Sequence, residues 1–130
     1  MEPTILKSAL TTKNNTNEFY IGKLFHSRDV IHLAHLKTTS FAQHSAMNLY
    51  YDGILEHIDT IVEALQGYEG KLLNLSIPSA QAEDPISHLS EIKNLLSAWR
   101  ENTKIEWLKN QIDECSTLVS STLYKLKFLK

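Results

Sequence analysis

Histidine and carboxylate side chains are concentrated in one short part of this sequence. Residues 32–63 contain four of the six histidines of the chain, and Asp52, Glu56, Asp59 and Glu63 lie in the same segment. Imidazole and carboxylate groups together bind hard or borderline divalent metals such as Fe²⁺, Mn²⁺ and Zn²⁺. The segment therefore indicates either half of a metal site or a solvated helix face that is rich in ligand-type side chains.

From His44 onwards, polar residues of this segment fall on one face of a predicted helix. Because each residue turns an α-helix by about 100°, six of them share about one third of the helix surface. A single histidine or carboxylate on an amphipathic helix is more often structural or solvated than a ligand, whereas the whole stripe favours a metal site. Its members are His44, Asn48, Asp52, Glu56, Asp59 and Glu63.

The sequence lacks the motif that would complete a di-iron centre within one chain. Helical bundles build such centres from two glutamates and two Glu-x-x-His pairs. No Glu-x-x-His occurs in this chain; Glu56, for example, is followed three residues later by Asp59, and Glu63 by Gln66. Any metal ligands are therefore expected from the first two predicted helices, contributed by two chains.

Four amphipathic segments position these residues. Apolar side chains recur at three- and four-residue steps, and no segment alternates as a strand does. Capping residues and a proline mark the starts, most clearly at Asp84-Pro85, and Gly67 marks an expected stop. The predicted helices span about 18–37, 41–66, 85–101 and 104–128. The prediction is an all-α fold, an antiparallel four-helix bundle at residues 17–130, preceded by a polar tail at 1–16.

Composition limits the classes of function that the chain can have. It has 130 residues, enough for one domain, and a formal net charge of −2, which gives no electrostatic case for a nucleic-acid or membrane partner. No apolar run approaches the length of about 18 residues that marks a membrane span. The single cysteine, Cys115, excludes a disulfide framework and predicts a reducing, cytoplasmic environment.

The spacing of the polar residues resembles the ferroxidase motif of the Dps family, the DNA-protection-during-starvation proteins or mini-ferritins. His32 and His44 are separated by the eleven residues LAHLKTTSFAQ, and Asp59 and Glu63 lie in HIDTIVE, fifteen and nineteen residues after His44. Asp52, followed by glycine, resembles the family's Asp-Gly but comes four residues later than expected. The resemblance implies a ferritin-like four-helix bundle.

What the resemblance implies about function is an iron site shared between two subunits. His32 and His44 of one chain would face Asp59 and Glu63 of a two-fold mate, in a site for one or two iron ions. Such proteins oxidise Fe²⁺ with peroxide or O₂ and store the product inside a shell. The expected assembly is at least a homodimer and, by analogy, a dodecamer. Zinc is expected to substitute at the same ligands.

Two departures from the family's pattern concern the site directly. Asn48 stands where the family has an aspartate, so the site loses one negative charge, and Asp52, one turn further on, is the residue that can compensate. Leu33 replaces the usual tryptophan after the first histidine. Residues His32, His44, Asn48, Asp52, Asp59 and Glu63 together form the predicted ligand set.

Three functions follow from these observations. The first is an iron-binding ferroxidase. The second is a ferritin-like structural or binding bundle that has lost oxidation, with Asn48 as the sign of that loss. The third is an unrelated helical interaction module whose polar stripe is a solvated face. DNA binding is not expected, because the polar tail has only Lys7 and Lys13 in place of the lysine-rich tail of some family members.

Overall fold

The computed structural model describes residues 15–130, which form four α-helices and no β-strand. The helix α1 contacts α2 and α3, and α4 contacts the same two helices, so that the four enclose a common core. The predicted all-α four-helix bundle is confirmed for this part of the chain. All but the last two residues of the predicted tail at 1–16 lie outside the described residues. The helices are α1, Asn17–Lys37; α2, Phe41–Glu69; α3, Pro85–Asn102; and α4, Glu106–Phe128.

Three of the helices begin at side-chain caps, and the cap at Asp84 is the one that the sequence marks most clearly. The side-chain oxygens of Thr16, Ser40 and Asp84 accept hydrogen bonds from the backbone N–H three residues further on, at 3.1, 3.2 and 2.9 Å. Each bond satisfies one of the amide groups that the first turn of a helix leaves without a partner. Pro85 follows Asp84 at the first helical position, where a missing N–H carries no cost.

The predicted end of α2 at Gly67 is wrong. The helix continues to Glu69 and ends at Gly70, whose φ of 72° is the left-handed conformation of a C-cap, with its N–H bonded to the Gln66 carbonyl at 2.9 Å. Glycine inside a helix costs only about 1 kcal/mol relative to alanine. Beyond Gly67, the ring of Tyr68 packs edge-on against Trp107 of α4, with ring centroids 5.8 Å apart, so a tertiary contact stabilises the helix past this glycine.

Stacked aromatic rings fix one end of the core. Tyr20 of α1 and Trp99 of α3 have ring centroids 5.3 Å apart and planes 8° from parallel. The Trp99 indole N–H donates to the Asn17 side-chain oxygen at 2.9 Å, so the buried ring keeps its polar atom satisfied. These contacts join the start of α1 to the end of α3.

The connection between α2 and α3 packs on the bundle through part of its apolar side chains. Leu73 and Leu75 pack against the core, whereas Leu72 and Ile77 are exposed. The backbone passes so close to α1 that a Cβ added at Gly22 would lie 2.7 Å from the Ser76 carbonyl oxygen. Glycine is therefore the residue that this close approach requires.

None of the helices in the described range combines the length and the apolar character that crossing a membrane requires.

Candidate metal centre

Three histidines and a tyrosine form a ring cluster where α1 ends and α2 begins. His35 is buried at its centre, with its ring stacked on His44 at a centroid distance of 3.7 Å and the ring of His32 edge-on at 5.8 Å. The ring of Tyr51 stacks on His32 at 4.1 Å. The fold thus brings the two predicted ligands His32 and His44 to the same cluster, with the buried His35 in ring contact with both.

Reciprocal hydrogen bonds fix the tautomers of the two stacked histidines. The Nδ1 atom of His35 lies 3.0 Å from the His44 carbonyl oxygen, and the Nδ1 atom of His44 lies 3.2 Å from the His35 carbonyl oxygen. Because a carbonyl oxygen only accepts, both Nδ1 atoms carry the proton and donate. The lone pair of each neutral ring then lies on Nε2, and a backbone carbonyl is the partner that metal-binding histidines commonly have.

His44 is the better ligand of this pair. Its ring is partly exposed, whereas His35 is buried beneath it. The two rings are stacked with planes only 26° from parallel, and each Nε2 lone pair lies in the plane of its own ring, so the two lone pairs do not converge on one ion. A metal bound by His44 therefore needs its other ligands from elsewhere.

Asn48 is tied into hydrogen bonds of its own. Its side-chain oxygen accepts from the Tyr51 hydroxyl at 2.8 Å, and its amide nitrogen donates to the Asp52 carboxylate at 3.1 Å. Two more predicted ligands, Asn48 and Asp52, are thereby brought together. The Asn48 oxygen has a second lone pair but no charge, so the negative charge in this part of the site comes from the exposed Asp52.

Asp59 and Glu63 do not join the histidines within one chain. Fifteen residues of α2 separate Asp59 from His44, which corresponds to about 22 Å along the helix axis. Both carboxylates are exposed on the face that also carries Asp52. A solvated face would be exposed in a single chain, and so would a face that contacts a second chain.

Apolar side chains are exposed around the histidine cluster. Leu36, at the end of α1, and Phe41, at the start of α2, are 67% and 82% exposed. Leu33 and Leu49 add to this surface, which we call the apolar patch. Several large apolar side chains exposed near one another along the chain are a feature that interaction sites commonly have.

A second cluster of ligand-type residues lies between α1 and α3, and sequence reasoning assigned it no role. Among residues 15–130, one triple of histidine and carboxylate side chains has its ligand atoms within 4.8 Å of one another: Glu83, His88 and Glu91. His88 is 5% exposed, with Nδ1 lying 3.2 Å from the Glu83 carboxylate and Nε2 lying 2.9 Å from Ser27 Oγ. Ser27 Oγ lies 2.8 Å from the Tyr50 hydroxyl.

The directions of these hydrogen bonds follow from the chemistry of the end groups. The Glu83 carboxylate accepts, so His88 Nδ1–H donates to it, and Nε2 accepts from the Ser27 hydroxyl. Ser27 Oγ in turn accepts from the Tyr50 O–H. Burial lowers the pKa of His88, although the charge of Glu83 opposes this shift, so the neutral ring that this arrangement needs is favoured.

The Glu83–His88–Ser27 sequence of contacts has the order of a catalytic triad, but it cannot act as one. Ser27 is 0% exposed, and its oxygen is already hydrogen-bonded to the buried Tyr50 hydroxyl. A substrate carbonyl has no path to this oxygen. The sequence does contain a signal for this cluster. His88 lies beside Leu89 and four residues before Ile92, in the core-facing register of α3, and Glu91 follows three residues later.

The chain belongs to a family of unknown function (DUF5856), whose profile matches residues 35–126. It is 26% identical over 110 residues to a protein of Enterobacteria phage T4 described as an uncharacterized 14.6 kDa protein in the mobD-ri intergenic region. That similarity covers 85% of this chain and 84% of the phage protein. No solved structure matches the chain. His32 lies outside the family match, which contains the other five predicted ligands.

Proposed function

We propose that this family member is an iron-binding protein of the mini-ferritin type, with a ferroxidase-type site formed between two copies of the chain. The observation that carries the proposal is the His44 ring, whose Nδ1–H is held by the His35 carbonyl at 3.2 Å. Its Nε2 lone pair is therefore set for a metal, and His32 lies in the same ring cluster. The chain is proposed to act as a cytoplasmic homo-oligomer.

The contacts between α1 and α2 support a ferritin-like, antiparallel arrangement. His35 meets His44 next to the turn, and Ser27 meets Tyr50 further from it on both helices. Residues progressively further from a short turn pair in this order when two helices run in opposite directions. The dodecameric shell rests on the resemblance alone.

A two-fold axis between two chains would account for the distance along α2 between His44 and the Asp59–Glu63 pair. The point midway between His44 and the Asp59–Glu63 pair lies near Asp52 on α2. An antiparallel crossing of two α2 helices at that point would bring the histidines of each chain to the carboxylates of the other, giving two equivalent sites. The apolar patch, with Phe41 and Leu49 on the same helix, would supply contact area for the dimer.

The donor set suits the oxidation of Fe²⁺ as a substrate. His32 and His44 offer neutral nitrogen, and Asp59 and Glu63 offer anionic oxygen, which favours the harder Fe³⁺ over Fe²⁺. Each Fe²⁺ would lose one electron to peroxide or O₂, and Glu63 is the carboxylate proposed to bridge two ions. Zn²⁺ suits the same ligands, so zinc binding alone does not distinguish a ferroxidase.

A second candidate function is a ferritin-like structural or binding bundle without ferroxidase activity. The observation that favours it is that both polar atoms of Asn48 are engaged, by Tyr51 and by Asp52. An aspartate at position 48 would add one negative charge beside His44. Its absence lowers the affinity for Fe³⁺ and with it the driving force for oxidation.

Titration of the metal-free protein with Fe²⁺ in air, followed by the absorbance of the ferric product, tests the proposal. Saturable oxidation is expected in the wild type and is expected to be lost in His44→Ala/Glu63→Ala. Glu56→Ala is the matched control, because Glu56 is exposed on the same face of α2 but lies outside the ligand set. No oxidation above buffer in the wild type would favour the inactive bundle.

A further inference from the structure

The cleft between α1 and α3 contains a cavity of about 580 Å³ that the proposed iron site does not use. Glu83, His88 and Glu91 line it, together with His26 of α1. We propose that Glu83, His88 and Glu91 form a separate site for a divalent transition metal of the Zn²⁺ class. This site lies within a single chain and needs no second copy.

The three ligands are already close enough for one ion. Their ligand atoms lie within 4.8 Å of one another, whereas the ligands of a tetrahedral zinc ion, about 2.0–2.1 Å from the metal, are about 3.4 Å apart. Glu83 and Glu91 are exposed and have freedom to close this difference by rotating about their side-chain bonds. His88 is buried and supplies the fixed ligand.

The buried hydrogen bonds of His88 provide the support that a metal-binding imidazole needs. A metal would bind Nδ1, the atom that now donates to Glu83 at 3.2 Å. The proton of the neutral ring then resides on Nε2 and is donated to Ser27 Oγ, 2.9 Å away. A hydroxyl oxygen has two lone pairs, so Ser27 accepts from His88 and from Tyr50 together. A partner on the second ring nitrogen orients the ring and strengthens the ligand.

The charge and composition of the site define the class of ion. One neutral imidazole and two carboxylates give a net charge of −2, which balances a divalent cation, and mixed nitrogen and oxygen donors suit Zn²⁺, Mn²⁺ and Fe²⁺ more than Ca²⁺. A fourth ligand would come from the cavity, which His26 also lines. The His26 ring centroid lies 6.2 Å from that of His88, and its Nε2 donates to the Ser79 carbonyl, which leaves the Nδ1 lone pair for a metal.

Calorimetric titration with Zn²⁺ tests this site, using the full chain that carries His44→Ala/Glu63→Ala so that the proposed iron site is removed. One zinc ion per chain is expected to bind there, and Glu83→Gln/Glu91→Gln is expected to weaken its binding at least about 10-fold. These substitutions keep the size of two exposed side chains. Glu101→Gln, an exposed position on α3, is the matched control and should leave zinc affinity unchanged.

The tautomer of His88 gives a second readout, which loss of fold alone would not reproduce. Nitrogen NMR of the imidazole should show Nδ1–H in the metal-free protein and Nε2–H at saturating Zn²⁺. A His88 that keeps Nδ1–H at saturation, or zinc affinity unchanged by Glu83→Gln/Glu91→Gln, would overturn the proposal. Failure of the wild type to oxidise Fe²⁺ would bear on the iron site alone.

Discussion

The buried chain of hydrogen bonds through Ser27 makes a quantitative prediction about stability. In Ser27→Ala, the Tyr50 hydroxyl loses its acceptor and His88 Nε2 loses its donor, and both groups lie in the core. An unsatisfied buried polar group costs about 1–3 kcal/mol. Alanine regains about 0.5 kcal/mol through its higher helix propensity. With two such groups, the free energy of unfolding should therefore fall by about 1.5–5.5 kcal/mol.

Tyr50→Phe should cost less, because it removes a donor and leaves no group stranded. Ser27 still donates to His88 at 2.9 Å, so the expected loss is about 1 kcal/mol. The double variant Ser27→Ala/Tyr50→Phe has no Tyr50 hydroxyl that could be left without an acceptor. The loss in this double variant should be smaller than the sum of the two single losses by about 1–2 kcal/mol, which is the coupling that contacting residues show.

Urea unfolding followed by circular dichroism, at one fixed protein concentration, measures these free energies. Ser97→Ala is the matched control, because Ser97 is exposed on α3, and its effect should stay within about 0.5 kcal/mol. A similarly small effect of Ser27→Ala, or strictly additive losses in the double variant, would refute the hydrogen-bond chain deduced for Ser27, Tyr50 and His88.

Further predictions concern the connection, the thiol and the iron site. Gly22→Ala should lower the free energy of unfolding by about 1–2 kcal/mol, because the new Cβ would lie 2.7 Å from the Ser76 carbonyl oxygen. In the same urea assay, Gly67→Ala should raise the free energy of unfolding by about 0.5–1 kcal/mol, because a Cβ at position 67 would have no atom within 4 Å. Burial raises the pKa of the Cys115 thiol from its ordinary value of 9.0 to about 12, so the folded protein should resist alkylation at pH 8. Because the folded state favours the neutral thiol, the stability that this raised pKa contributes should be present below pH 9 and lost as the pH rises towards 12. Rapid labelling of folded Cys115 would contradict this. Asn48→Asp should tighten Fe²⁺ binding about 10-fold through the added charge, as read by iron titration; unchanged or weaker binding would show that position 48 does not face the ion.

Local patterns in the sequence account for most of the fold. Helix starts at Thr16, Ser40 and Asp84 were predictable because a capping side chain bonds to an amide only three residues away. The stop at Gly67 was predicted wrongly because the choice between two glycines depends on which one lies beyond the last packed turn. Tyr68, which follows Gly67, packs edge-on against Trp107 of α4, and such packing is not a local property.

The candidate sites, like the fold, were predictable from the sequence only where they depend on local spacing. His32 and His44 were found through their spacing, and the structure brings them to one cluster, but the central position of His35 depends on the angle at which α1 meets α2. The contact between Ser27 and His88 joins residues 61 positions apart. The periodicity of neither helix predicts this contact, so the second cluster can be recognised only in the folded structure.

Subunit complementation tests the central claim, that one site uses residues of two chains. A His32→Ala/His44→Ala chain and an Asp59→Asn/Glu63→Gln chain should each fail to oxidise Fe²⁺ when purified alone. After unfolding and refolding together in equal amounts, about half of the dimers would be mixed, and each mixed dimer would have one intact site of two. The account predicts recovery of about one quarter of the wild-type capacity. No recovery in a mixture that chromatography shows to contain mixed dimers would contradict it.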